Sequence, residues 1–282
     1  MANHRIPNLI HFICLIKPGN ELVPFLHFAA VASAKSILRP DKIILHLNGD
    51  PEGPWWERIR PLVDEIKLVA LPTHWRHDKP IYNPEKPHHY YSHMSDHIRL
   101  HALAEIGGIY LDLDTITIRP VEDLLQHEFV IGRETCSPLD PVRHRLGSAV
   151  LMSAPGSAFL LEWLQRYPEV YDSADWASAA TQLPATISQE QPHLPVNVVP
   201  ETAFFSVNWD DVAGIFEETR SVDPEARILH LWQNMAWEKY FKRVTGMDWA
   251  RQNSHTVCAT LLLNAESAWI RDGIDYGEHG EQ

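Results

Sequence analysis

The strongest constraint on the fold of this chain is an alternation of short apolar runs and helix-like segments in its first 71 residues. Residues 9–16 (Leu-Ile-His-Phe-Ile-Cys-Leu-Ile) are apolar and rich in β-branched side chains, and Lys17-Pro18-Gly19 stops the run. Such a run reads as a buried strand. Residues 22–38 are rich in Ala and Leu and read as a helix that ends before Arg39-Pro40. A second strand is expected at 42–47, closed by Asn48-Gly49-Asp50-Pro51, then a short helix at 56–63 and a third strand at 66–71. Strand, helix, strand, helix, strand predicts an α/β fold. Its sheet should be mainly parallel, with helices on both faces and ligands at the carboxyl ends of the strands.

Composition narrows the class. Ten Trp and nine Phe in 282 residues supply ample core, which excludes a disordered chain, and 21 Pro with 13 Gly interrupt any long heptad pattern. There is no internal repeat and no linker long enough to separate two domains. The expectation is one domain over residues 1–282, with 1–125 as its first half and 126–282 as its second. The net charge of -13 and the absence of a Lys/Arg run argue against a nucleic-acid partner. Cys14, Cys136 and Cys258 lie far apart without a CxxC pair, which favours reduced thiols and a cytoplasmic setting. No stretch approaches 18 uninterrupted apolar residues, so no transmembrane segment is expected.

Further along, residues 74–89 are polar and read as a loop. A helix is expected at 92–106, capped by Ser92 or Ser95 and stopped by Gly107-Gly108, followed by a strand at 109–114. Strands at 129–131, 148–153 and 228–232 and a helix at 158–165 are expected. Residues 166–200 read as loop-rich, and the last 40 residues give no clear pattern.

Asp112-Leu113-Asp114 carries no weight as a bare triplet, because 17 Asp in this length give about one Asp-x-Asp by chance. Its context gives it weight. On a strand the two side chains share a face, about 6.5 to 7 Å apart, at the carboxyl end where ligands bind. Two carboxylates placed so repel unless a cation or a ligand hydroxyl lies between them, and such oxygen ligands suit Mg²⁺ or Mn²⁺. At 100° per residue, Asp96 and Arg99 fall on the same helix face as Leu100 and Leu103, the inward one. His89, His93, His97 and His101 are spaced by four but drift 40° per step, so they read as structural rather than as metal ligands. His230, followed by a segment with Asn234, Trp232 and Trp237, ends a strand that either packs in the core or closes over a ligand.

Ser95-Asp96-His97-Ile98-Arg99 followed by Gly107-Gly108-Ile109-Tyr110-Leu111-Asp112-Leu113-Asp114 resembles the signature of the DXD-motif sugar-binding glycosyltransferases. These are retaining enzymes that include bacterial capsular and yeast mannosyl transferases and the clostridial glucosylating toxins. Residues 6–12 resemble the family's opening strand, and His230-Leu231-Trp232 with Trp237 resembles its closing motif. The resemblance implies a GT-A, Rossmann-like fold with a mixed, mainly parallel sheet. It implies a nucleotide-sugar and metal half, an acceptor half, and Mn²⁺ or Mg²⁺ as cofactor. The implied partners are a UDP- or GDP-sugar donor and a glycan, lipid-linked or protein acceptor, in glycan or polysaccharide synthesis.

Residue by residue, the resemblance implies that Asp96 and Arg99 hold the donor sugar and phosphate. Asp112 contacts the ribose and, through water, the metal. Asp114 binds the metal directly, with His230 as a further ligand. Trp237 covers the diphosphate or sugar, and Ile13 lies near the base. Cys14 stands where relatives carry a base-stacking Trp, and Ser148 where many carry a sugar-contacting Asn. Two other readings stay open from sequence. One is a non-catalytic nucleotide- or sugar-binding module on the same fold. The other is a carboxylate-metal hydrolase or phosphotransferase, which requires further Asp or His ligands converging on Asp112 and Asp114.

Overall fold

A computed structural model describes residues 5–71, 81–134 and 145–277. Cys136 and residues 74–80 of the expected loop lie outside them.

The first half follows the alternation. β1 (Leu9–Cys14), α1 (Phe25–Leu38), β2 (Lys42–Leu47), α2 (Pro54–Ile59) and β3 (Glu65–Leu68) come in turn. Then come α3 (Pro87–Ile106), β4 (Gly108–Leu111) and β5 (Thr115–Thr117). β1 pairs with β2 and β4, and β2 with β3, all in parallel. The second half adds β6 (Phe129–Glu134), β7 (Arg145–Ser153), α4 (Ala158–Val170), α5 (Leu183–Glu190), β8 (Asn197–Val199), α6 (Glu201–Phe204) and α7 (Ala213–Phe216). It closes with β9 (Ile228–His230), α8 (Gln233–Ala236), α9 (Met247–Gln252) and α10 (Val257–Arg271). The main sheet runs β3-β2-β1-β4-β7-β6-β8. β7 is antiparallel to both β4 and β6, and β6 is parallel to β8, so the sheet is mixed and mainly parallel. β5 and β9 form a separate antiparallel pair.

The period of two in each strand sorts the core into two layers. Ile10, Phe12, Ile109, Leu111, Val150 and Met152 pack on one face with α1 and α10. Ile13, Tyr110, Leu151, Phe129 and Ile131 pack on the other with α3, α4 and α5. Each large side chain removed from water this way stabilises the fold by roughly 1.5–3 kcal/mol. Within β1 and β2, buried His11 and His46 bridge ring to ring at 3.1 Å, and His11 Nε2 lies 3.0 Å from the Gly107 carbonyl oxygen. Those partners make two histidines tolerable inside an apolar sheet.

Three expectations are corrected. α3 begins at Pro87, five residues before residue 92, because proline suits the first helical turn with its preset φ and missing N–H. Ser92 and Ser95 are therefore interior to the helix and do not cap it. β4 stops at Leu111, so Asp112 and Asp114 stand in the turn between β4 and β5 rather than on a strand. There the Thr115 N–H and hydroxyl both donate to the Asp112 carbonyl, at 3.2 and 2.8 Å. Residues 166–200 are not loop-rich. They hold the end of α4, a π-helical turn at Ser178–Gln182, α5 and β8. Among the described residues no helix is long and apolar enough to cross a membrane.

Candidate active site

Gly107, at φ 70°, stops α3 in a backbone conformation that a side chain resists. The chain turns at once into β4, which delivers Asp112 and Asp114 to the carboxyl edge of the sheet. β9 pairs with β5 in the register Thr115↔His230, which sets His230 beside the same turn. His230 Nε2 lies 3.2 Å from Asp114 Oδ2 and 4.0 Å from Asp112 Oδ2. One donor atom from each of the three lies within 4.8 Å of the others. Two carboxylates and an imidazole at that spacing match the donors Mn²⁺ accepts, and three protein ligands leave positions for phosphate oxygens and water. Among the described residues no further His, Cys, Asp or Glu joins this group.

The site is electrostatically asymmetric. Burial opposes ionisation of Asp114. The His230 charge, the His230 hydrogen bond and the Gln233 N–H at 2.7 Å outweigh it and hold the carboxyl down at about 2. Burial and the neighbouring Asp114 charge push Asp112 up against the pull of Arg99. Burial lowers His230, but Asp114 beside it carries the imidazole above its ordinary range. Two like charges at one site thus separate in acidity, and the imidazole offsets part of their repulsion. His27 supports the arrangement from α1, with Nε2 2.7 Å from Gln233 Oε1.

Asp96 and Arg99 are buried on the inward face with Leu100 and Leu103, as the helical period predicts. Arg99 is engaged throughout by protein. Its Nε donates to the Ser95 carbonyl at 3.3 Å, and Nη1 to the Ser148 carbonyl at 2.7 Å. Nη2 donates to Ser95 Oγ at 2.9 Å and lies 3.1 Å from Asp112 Oδ1 and 3.5 Å from Asp96 Oδ1. The guanidinium carbon sits 4.4 Å from the centre of the Tyr110 ring, and the Tyr110 hydroxyl donates to Asp112. Burial raises Asp96 to about 7 despite Arg99.

These residues line one cavity of about 530 Å³. Ile13, Cys14, Asp96, Arg99, Asp112, Asp114, Ser148 and His230 all face it. Trp237 is not part of its wall and packs on Phe241, with ring centres 5.8 Å apart. Trp232 does line the cavity, in left-handed backbone at φ 55°, its Nε1 donating to the Val207 carbonyl at 2.7 Å. Its ring centre is 4.1 Å from that of His230. The sequence reading did not single out His27, Tyr91, Glu134, Trp176 or Trp209, which also line the cavity. The only sequence signal available for them was polar or aromatic residues at the ends of apolar runs, as with Glu134 after Phe-Val-Ile-Gly-Arg.

Residues 38–131 match the family model described as a glycosyltransferase sugar-binding region containing a DXD motif. Glucan organizing enzyme 1 of Cryptococcus neoformans is 33% identical over 246 residues, which span 82% of this chain and 63% of that protein. An uncharacterized protein of Arabidopsis thaliana is 28% identical over 205 residues, spanning 62% of this chain and 29% of that protein. The chain thus spans less than two thirds of the length of either relative. The apo form of the glycosyltransferase GlyE of Streptococcus pneumoniae superposes with a TM-score of 0.51 at 14% identity, over 96% of this chain and 64% of that one. The fold is GT-A, and residues 38–131 match the DXD-motif sugar-binding region of glycosyltransferases.

Proposed function

We propose that this chain transfers a sugar from a nucleoside-diphosphate donor to an acceptor hydroxyl with a divalent cation, Mn²⁺ or Mg²⁺, held by Asp112, Asp114 and His230. The observation that supports it is the convergence of those three side chains, from the β4–β5 turn and from β9, on one cavity in a chain with a DXD sugar-binding region. A bound cation would neutralise charge on the departing diphosphate. Asp114 and His230 would hold it directly, and Asp112 would complete the set. Arg99 fixes the Asp112 carboxylate and the Ser148 strand. Asp96 and Ser148 present polar atoms to the donor from the same wall, and Ile13 and Cys14 lie at the end of β1 where the base would enter. The retaining outcome is what the family resemblance implies.

The name of the Cryptococcus relative refers to glucan, which directs the acceptor reading toward a polysaccharide. A cytoplasmic setting rests on the three well-separated cysteines, of which Cys14 and Cys258 are buried free thiols. A thermal-shift panel of nucleoside diphosphates and nucleotide-sugars, with and without Mn²⁺, tests the reading. A ligand at a hundredfold excess over Kd adds about 2.7 kcal/mol of stability. Metal-dependent stabilisation with release of nucleoside diphosphate from the sugar donor supports transfer. Metal-dependent binding without turnover of any donor leaves a binding module, and no stabilisation overturns both.

A further inference from the structure

Glu134 is a buried carboxylate on the cavity wall that the metal group does not use. It is the last residue of β6, whose partner β7 runs antiparallel to β4 as well. The carboxyl ends of β4 and β6 therefore lie at the same edge of the sheet. Their backbones are separated by two strand spacings, about 10 Å, with β7 between them.

The side chain's face follows from its neighbours. A Cβ at Gly132 would stand 2.7 Å from Phe204 Cδ2, and one at Gly147, its partner across the pair, 2.2 Å from Phe205 Cζ. Gly132 and Glu134 share a face by the period of two, so Glu134 lies on the Phe205 side. Phe205 in turn meets His230 edge to face at 5.8 Å. The carboxyl thus lines the cavity on the His230 side, the face from which the diphosphate would leave and from which a retained configuration requires the acceptor to approach. Arg145, opposite it in register, and His230 are the charges that act on it. Burial still holds it above the ordinary glutamate range, which strengthens it as a base.

We propose that Glu134 is the catalytic base of sugar transfer, the group that takes the acceptor's proton. The inference rests on the transferase reading above and adds a step to it. The acceptor oxygen forms a bond to the anomeric carbon. The bond from that carbon to the phosphate oxygen breaks, its electron pair leaving with the nucleoside diphosphate. The hydroxyl proton passes to the Glu134 carboxylate and from there to solvent. A base on the wall relieves the departing diphosphate of that task.

Water in place of the acceptor makes the test possible before the acceptor is identified. The full chain, with MnCl₂ and each of a panel of UDP- and GDP-sugars, is assayed for release of nucleoside diphosphate. The Kd of the nucleoside diphosphate with Mn²⁺ is measured by calorimetry. Glu134→Gln is expected to cut kcat by about 10²–10⁴-fold, the range of a positioned base, and to leave that Kd within twofold of wild type. Glu134→Asp keeps the charge but withdraws it by one methylene; it should lower kcat with KM unchanged, and it carries the test if the Gln variant does not fold. A kcat within threefold of wild type in both variants overturns the proposal. So does a parallel loss of nucleotide affinity, which marks a structural role, or a hexose adduct on Glu134 by mass spectrometry, which marks a nucleophile. A wild-type chain that turns over no donor overturns the transferase reading itself, and this proposal with it.

Discussion

Arg99 Nη2 stands 3.1 Å from Asp112 Oδ1 while Nη1 of the same guanidinium holds the Ser148 carbonyl at 2.7 Å. One planar group thus ties the turn after β4 to the start of β7 and sets the position of a proposed metal ligand. Lysine brings one ammonium in place of a five-donor fork and leaves some of these acceptors buried without a partner. Arg99→Lys is expected to lose about 1–3 kcal/mol of stability in urea denaturation and to weaken Mn²⁺-dependent nucleotide binding. Unchanged stability with only kcat reduced would instead place Arg99 on the donor phosphate.

Asp114 is the group that links both halves of the site. Its carboxylate meets His230 Nε2 at 3.2 Å and accepts the Gln233 N–H at 2.7 Å. Asp114→Asn retains an oxygen for Gln233 but removes the ligand charge. Mn²⁺-dependent affinity for nucleoside diphosphate should fall about 10²-fold, at or beyond the upper end of what loss of a supporting partner costs. EDTA should abolish turnover of the wild-type chain, and added Mn²⁺ should restore it. His230→Ala should weaken metal binding less, since water can take the vacated position. Full turnover in EDTA would remove the cation from the mechanism.

The parts legible in the sequence were those with local signals. The β1-α1-β2-α2-β3 order follows from apolar runs and their stops, and the inward placement of Asp96 and Arg99 follows from the helical period. The start of α3 was missed because its first turn, Pro-His-His-Tyr, carries no apolar period, although Pro87 itself marks a helix start. α10 carries a local signal of its own. Thr256 accepts the Ala259 N–H as its cap, and Val257, Cys258, Leu261, Leu262, Ala265 and Trp269 form its buried stripe. Other features were not local at all. The pairing of β5 with β9 joins residues more than a hundred positions apart, so His230 reached Asp114 only through the family resemblance. The left-handed backbone of Trp232 in the cavity wall was not legible either, since a non-glycine residue gives no reason to expect it.

Gly147 tests the wall between the sheet and His230. A Cβ there would stand 2.2 Å from Phe205 Cζ and 2.5 Å from Phe205 Cε2, so the ring has to move. Phe205 is fully buried and packs on both His230 and Trp232. Gly147→Ala is expected to cost about 1–3 kcal/mol of stability, as overpacking does, and to weaken metal binding because His230 loses its backing ring. Ser157→Ala, whose Oγ has no hydrogen-bond partner among the described residues, serves as a control and should leave metal affinity unchanged. Calorimetric titration of Mn²⁺ into both variants checks this, and equal affinities would detach Phe205 from the site.

Asp96 gives a pH dependence with a definite sign. Burial raises its carboxyl to about 7, against an ordinary value near 3.8, because the charge loses more hydration than Arg99 returns. A folded-state value above the unfolded one means that the neutral form stabilises the fold. That contribution is complete below about pH 4 and is lost as pH rises through 7. Asparagine has nearly the same shape and stays neutral at every pH. The stability of Asp96→Asn relative to wild type should therefore be near zero at pH 4 and should grow steadily above it. At pH 8 the gain approaches ~4 kcal/mol, the upper figure set by that separation at 1.36 kcal/mol per unit. Urea denaturation of both proteins at pH 4, 6 and 8 measures it, and other titrating groups cancel in the difference. Arg99 keeps Asp112 as its charged partner in the variant, so no isolated cation is left buried. A variant less stable than wild type at pH 8 would show that ionised Asp96 and Arg99 form a net favourable pair, and the burial argument for Asp96 would fall.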